Sequence, residues 1–191
     1  MKTIIDLSDF AIHHIPDKYL IPVFDHPSRM ERKILDRQKD FDAVAYCLAP
    51  EYGWDDIQKN EFGKPALNGQ ILGISHSHEQ VVVAWSDVNF GLDIQRTDDK
   101  IHRLASKFIN DEEAVFANDI ETLTIIWSAK EAVFKFFGHS VDFAKEMFVS
   151  PFKITDDSFV LEYRGTQHKI QYFRISFIPI QDAYLTLAQP L

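Results

Sequence analysis

The sequence predicts an α+β fold built as two similar lobes, and three observations carry that prediction. The elements run helix, strand, strand and then strand, helix, helix, strand, strand, instead of alternating as a parallel sheet requires. The clearest pair of strands is joined by a short polar turn, "HSHE", as antiparallel neighbours are. The chain has 191 residues, 46% of them hydrophobic and 16 of them Phe, enough to bury a core in one domain or two small lobes.

The elements follow in order. Residues 28–48 read as a helix, with Ser28 as N-cap after Pro27 and with Ile34, Phe41, Ala45 and Leu48 at helical spacing. "EYGWDD" breaks that pattern, and "FGKPAL" is a Gly-Pro loop. "ILGIS" and "QVVVAWS" read as strands, and "VNFGLDI" as a third that forms the second strand of a hairpin with "QVVVAWS". Two short helices come next. In the first, Ile101, Leu104, Ala105 and Phe108 fall at i, i+3, i+4 and i+7; the second, "NDEEAVFAND", opens on acids that suit a helix N-terminus. A long helix covers about 120–137, and "MFVSPFKI", "SFVLEYR", "HKIQYFRISFIPI" and "AYLTLA" complete an antiparallel set. The element order places the division between lobes near residue 86, giving lobes of 1–86 and 87–191.

Composition excludes several classes of function. The net charge of −9 argues against a general nucleic-acid binder, whose phosphate contacts need a basic surface. Lys and Arg nonetheless concentrate at residues 28–40, a local surface suited to an acidic protein partner. No apolar run is long enough to cross a membrane, and "MKTIIDLSDF" has acids where a signal peptide has its apolar stretch. Cys47, the single cysteine, permits no disulfide within the chain and sits in an apolar run; a cytoplasmic location is expected.

Two charges break the pattern. Asp93 stands in the apolar strand "GLDI", where a carboxylate is costly unless paired or bound to a metal. Lys130 falls in the middle of the stripe that Leu123, Ile126, Trp127, Phe134 and Phe137 form on the long helix, with Glu131 at its edge and Lys135 one turn on. Such violations gather at functional sites. By themselves they also fit plainer readings: a strand-end acid, a lysine that snorkels to solvent, and a surface Glu131–Lys135 pair.

Taken together, "FGKPAL…GISHS" (62–77), "FGLDIQ" (90–95) and "WSAKEAVFK" (127–135) resemble the 4′-phosphopantetheinyl transferase superfamily, in its larger monomeric, surfactin-synthetase-activating type. The resemblance covers residues 26–138 well and the last fifty weakly. It implies a pseudo-twofold monomer with its active site in the cleft between lobes. It implies transfer of the 4′-phosphopantetheine group of coenzyme A to a serine of an acyl or peptidyl carrier protein, with Mg²⁺ (or Mn²⁺). That carrier would serve fatty-acid or secondary-metabolite synthesis.

Residue by residue, the resemblance makes Asp93 and Glu131 metal ligands. Gln95 stands where the larger type usually has a second acid, and is a weak or water-mediated ligand. Glu113 is the general base, with Glu112 beside it as the other candidate. Lys130 and Lys135 contact the phosphates, as do Ser75 and His76. Phe62, Gly63, Lys64 and Pro65 form part of the adenine pocket, and Arg37, with Arg29 and Arg32 as other candidates, meets the 3′-phosphate. Two other functions stay open: a coenzyme A- or nucleotide-binding homologue that Gln95 has left with weak or no transferase activity, and a plain protein–protein interaction module.

Overall fold

The computed structural model describes residues 5–7, 10–12, 57–59, 64–67, 69–78, 80–165 and 170–191. The fold is α+β, and the chain divides into two compact units, Met1–Val88 and Asn89–Leu191. The helix expected at 28–48 lies outside the described residues, as do Arg29, Arg32, Arg37, Cys47, Phe62 and Gly63.

In the first unit, β1 (Ile5–Leu7) and β2 (Phe10–Ile12) pair antiparallel. A four-stranded antiparallel sheet contains β3 (Gln58–Lys59), β4 (Pro65–Leu67), β5 (Gln70–Ser77) and β6 (Gln80–Ser86) in that order. Pro65, with no N–H to donate, stands at the first position of its strand, where it is tolerated. The β5–β6 turn carries His78 at φ 53, so the expected polar turn is a left-handed one.

The second unit contains a five-stranded antiparallel sheet in the order β7-β11-β10-β9-β8. Its strands are β7 (Gly91–Arg96), β8 (Met147–Val149), β9 (Ser158–Tyr163), β10 (Gln171–Ile180) and β11 (Ala183–Pro190). Here the sequence reading is corrected: β7 is not the partner of the preceding strand. It pairs with the C-terminal strand β11, Asp93 opposite Thr186 and Gly91 opposite Ala188. β9 and β10 alternate cleanly, with Phe159, Leu161, Tyr163, Phe173, Ile175 and Phe177 buried and Val160, Tyr172 and Arg174 exposed.

Three helices lie in the same unit: α1 (Lys100–Leu104), α2 (Ile120–Phe137) and α3 (Phe143–Glu146). The two expected short helices are tighter than the periodicity suggests. α1 passes into a 3₁₀ turn at Ala105–Lys107, and Glu113–Val115 is a 3₁₀ turn alone. The long helix α2 matches its expected span, and its ends show why. Asp119 caps the start, accepting from the Thr122 backbone N–H at 2.8 Å and the Thr122 hydroxyl at 2.7 Å. Gly138 ends it in the left-handed conformation (φ 72), where a side chain would be strained, and its N–H closes on Phe134 O at 3.0 Å. Leu123, Ile125, Ile126, Ala129, Ala132 and Val133 bury α2 in the core with Phe108, Met147, Phe173 and Ile175.

Candidate active site

Gly91 decides how closely α2 can lie on β7. A Cβ built there would overlap the carbonyl oxygen and carbon of Ala132, which are backbone atoms of the helix and cannot swing away. Two residues along the same strand face stands Asp93, brought by this close approach into contact with α2. Gly91→Ala is therefore expected to push helix and strand apart. It should cost at least roughly 1–3 kcal/mol of stability, as overpacking does, read as a lowered urea midpoint. An unchanged midpoint would mean that the helix can move off the strand without loss.

Asp93 is buried, 6% exposed, and both of its oxygens are engaged. Oδ2 accepts from Ser128 Oγ at 2.9 Å, and Ser128 Oγ lies 2.9 Å from Thr186 Oγ1 on β11. Oδ1 accepts from Lys135 Nζ at 2.7 Å. Ser128, Glu131 and Lys135 fall at i, i+3 and i+7, one polar strip along α2. Glu131 is partly buried, and its carboxyl is pushed up to about 6, first by burial and then by the negative charge of Asp93, with Lys135 opposing. Two carboxylates are thus held close enough to repel each other. A cavity of about 620 Å³ opens beside Glu131, with Trp127 and Phe143 in its wall and Lys107 among its charged residues.

The donor set fits a hard divalent cation in part. Asp93 and Glu131 offer carboxylate oxygens whose mutual repulsion a cation would relieve. Among the described residues no three His, Cys, Asp or Glu side chains cluster, so of these a cation here would have the two carboxylates. The side-chain amide of Gln95 donates to the Arg96 carbonyl at 3.2 Å.

Lys130 and Glu113, expected at the phosphates and as general base, lie together in the interior. Both side chains are 0% exposed and paired, Lys130 Nζ to Glu113 Oε2 at 2.7 Å. The ammonium also donates to Phe108 O at 2.6 Å, Phe143 O at 3.0 Å and Met147 O at 3.0 Å. Glu113 in turn accepts from the Val149 N–H at 2.8 Å and the Asn110 N–H at 3.1 Å. Burial pushes the Lys130 ammonium below its ordinary value, and Glu113 pushes it back up. In this structure the two charges face each other inside the protein. The pair is an internal brace tying three segments to α2, with neither charge facing open space. Glu112, the other candidate base, is exposed, 3.8 Å from Arg164.

The remaining described candidates lie in the first unit. Lys64 and Ser75 are buried, and burial lowers the Lys64 ammonium to about 8. Pro65 opens β4 and His76 lies partly buried on β5. The sequence reading assigned no role to Ser128 or Thr186. Ser128 was legible, since it heads the polar strip on α2; Thr186 was not, because only the β7–β11 register brings it to Asp93.

A family model described as the 4′-phosphopantetheinyl transferase superfamily matches residues 89–188. The chain belongs to that superfamily. The matched stretch contains the β7–α2 contact and the whole Asp93 cluster, all within the second unit. Among named relatives, the 4′-phosphopantetheinyl transferase gsp of Aneurinibacillus migulanus is 32% identical over 89 residues. Those residues are 43% of this chain and 38% of that protein, so the similarity spans well under half of the relative's length.

Proposed function

We propose that this chain is a 4′-phosphopantetheinyl transferase of the larger type. The carrier-protein serine oxygen forms a bond to the β-phosphorus of coenzyme A, the bond to the 3′,5′-ADP oxygen breaks, and the serine proton is released. The observation that carries the reading is the Asp93–Ser128–Lys135–Glu131 cluster, assembled where Gly91 lets α2 touch β7. Asp93 and Glu131 would hold Mg²⁺, which neutralises pyrophosphate charge when bound. Ser128 and Thr186 keep the Asp93 carboxylate oriented. Lys135, on a part-exposed stem, supplies a cation for phosphate. Lys64, Pro65, Ser75 and His76 are the described candidates for coenzyme A contacts in the first unit, with Arg37, Phe62 and Gly63 completing that set.

A weak or binding-only homologue is the second reading, favoured by the neutral Gln95, whose amide donates to the neighbouring Arg96 carbonyl. The partner is a small acidic acyl or peptidyl carrier protein. A cytoplasmic setting fits this chemistry, and among the described residues no helix is long and apolar enough to cross a membrane. Incubating an apo carrier protein with the chain, coenzyme A and Mg²⁺ is expected to add one phosphopantetheine mass to the carrier. Coenzyme A binding without any mass gain, across acyl and peptidyl carriers, would select the binding-only reading.

A further inference from the structure

We propose that Lys135 is a tethered counter-cation of Asp93 that a divalent metal must displace in order to bind. The inference rests on the reading that Asp93 and Glu131 hold the metal. Lys135 Nζ lies 2.7 Å from Asp93 Oδ1, within the distance of a charge-assisted hydrogen bond. The other oxygen is engaged by Ser128, whose hydroxyl is itself tied to Thr186, so the carboxylate is held against rotation. A metal approaching the Asp93 carboxylate therefore meets an ammonium already on Oδ1. Oδ1 has lone pairs for more than one partner, but two cations a few ångströms apart repel, so the competition is one of charge as well as space.

Lys135 is built to leave. Its side chain is 34% exposed while that of Asp93 is 8% exposed, so the lysine can swing out and the carboxylate cannot. It stands in the last turn of α2, three residues before the Gly138 cap. A metal on Asp93 would loosen the ammonium's hold there and leave it for a phosphate, so metal and coenzyme A pyrophosphate should load in a coupled way.

The scale follows from charge. Repulsion between an ammonium and a divalent ion about 4 Å apart is worth a factor of about ten or more in affinity even at the dielectric of water. Mn²⁺ binding to the full chain can be read at fixed pH from the loss of the aquo-ion EPR signal, with no substrate present. Lys135→Met should bind Mn²⁺ about tenfold or more tightly than the wild type. Lys135→Arg, which keeps the charge, should not. Lys145→Met removes an exposed lysine paired with Asp142 and controls for net charge; it should match the wild type. Adding Asp93→Asn to Lys135→Met should abolish the tight binding, with thermal melts by circular dichroism confirming that each variant is folded.

Equal Mn²⁺ affinity in Lys135→Met and wild type, with Asp93→Asn still abolishing binding, overturns the displacement and leaves the metal site standing. Mn²⁺ binding indifferent to Asp93→Asn and to Glu131→Gln overturns the metal site itself.

Discussion

Replacing Lys130 with methionine is expected to destabilise the protein by about 3–5 kcal/mol, the range for breaking a buried ion pair by removing one partner. The side chain is fully buried and its ammonium serves four oxygens: Glu113 Oε2 and the carbonyls of Phe108, Phe143 and Met147. Methionine fills similar volume but leaves a buried carboxylate without its cation and removes a donor from each carbonyl. The sign of a second substitution separates this from a simple packing loss. Glu113→Gln alone should destabilise, since it weakens the pair. In the Lys130→Met background it should recover part of the loss, since it removes the orphaned charge. Urea unfolding of the four proteins measures all three differences. A Lys130→Met cost below about 1 kcal/mol would place the ammonium in solvent, as for an exposed pair, and would return Lys130 to the phosphates.

Glu131→Gln is expected to reduce phosphopantetheine transfer by roughly a hundredfold or more, because a metal's charge stabilisation is worth several kcal/mol. The same change should raise the stability of the metal-free protein. Burial and the charge of Asp93 hold the Glu131 carboxyl at about 6, above its ordinary value of 4.5. A carboxyl whose folded-state value is raised binds protons more readily folded than unfolded, so its ionised form costs stability. The cost is full above about pH 6 and fades as pH falls through 6 towards 4.5. Glutamine removes it. Thermal melts at pH 7.5 without added metal should show Glu131→Gln more stable by about 1 kcal/mol, the low end because Glu131 keeps some exposure. At pH 4 the gain should vanish. A loss of stability at pH 7.5 would show that Lys135 already compensates the carboxylate, and that the two acids are not strained against each other.

Much of the second unit was legible locally. The span of α2 follows from its apolar spacing, with Asp119 and Gly138 marking its ends. The strand "GLDIQ" announced its anomalous acid, and the glycine two residues before it has a physical reason in the close passage of Ala132. Lys130 was legible as an anomaly but not in its meaning. A lysine inside an apolar stripe fits a ligand-binding head and a buried brace alike. The carbonyls around its ammonium come from Phe108 and from Phe143 and Met147, on two segments outside the helix and without any recognisable sequence pattern.

The strand pairing of β7 shows the same limit. Adjacent strands commonly form hairpins, so "QVVVAWS" and "VNFGLDI" read as neighbours, yet β7 pairs with a strand some ninety residues on. By itself the sequence determined the chain's superfamily, the long helix and the strands of its second unit, and which acids and lysines violate the hydrophobic pattern. The tertiary structure alone decided which charge meets which. It put Lys135 on Asp93, gave Lys130 to Glu113, and brought Thr186 to Ser128. Periodicity fixes the face on which a side chain stands, because it follows from helix and strand geometry. The partner on that face comes from packing between distant segments, and an ion pair's worth depends on its burial and its neighbours, neither of which is a property of the local sequence.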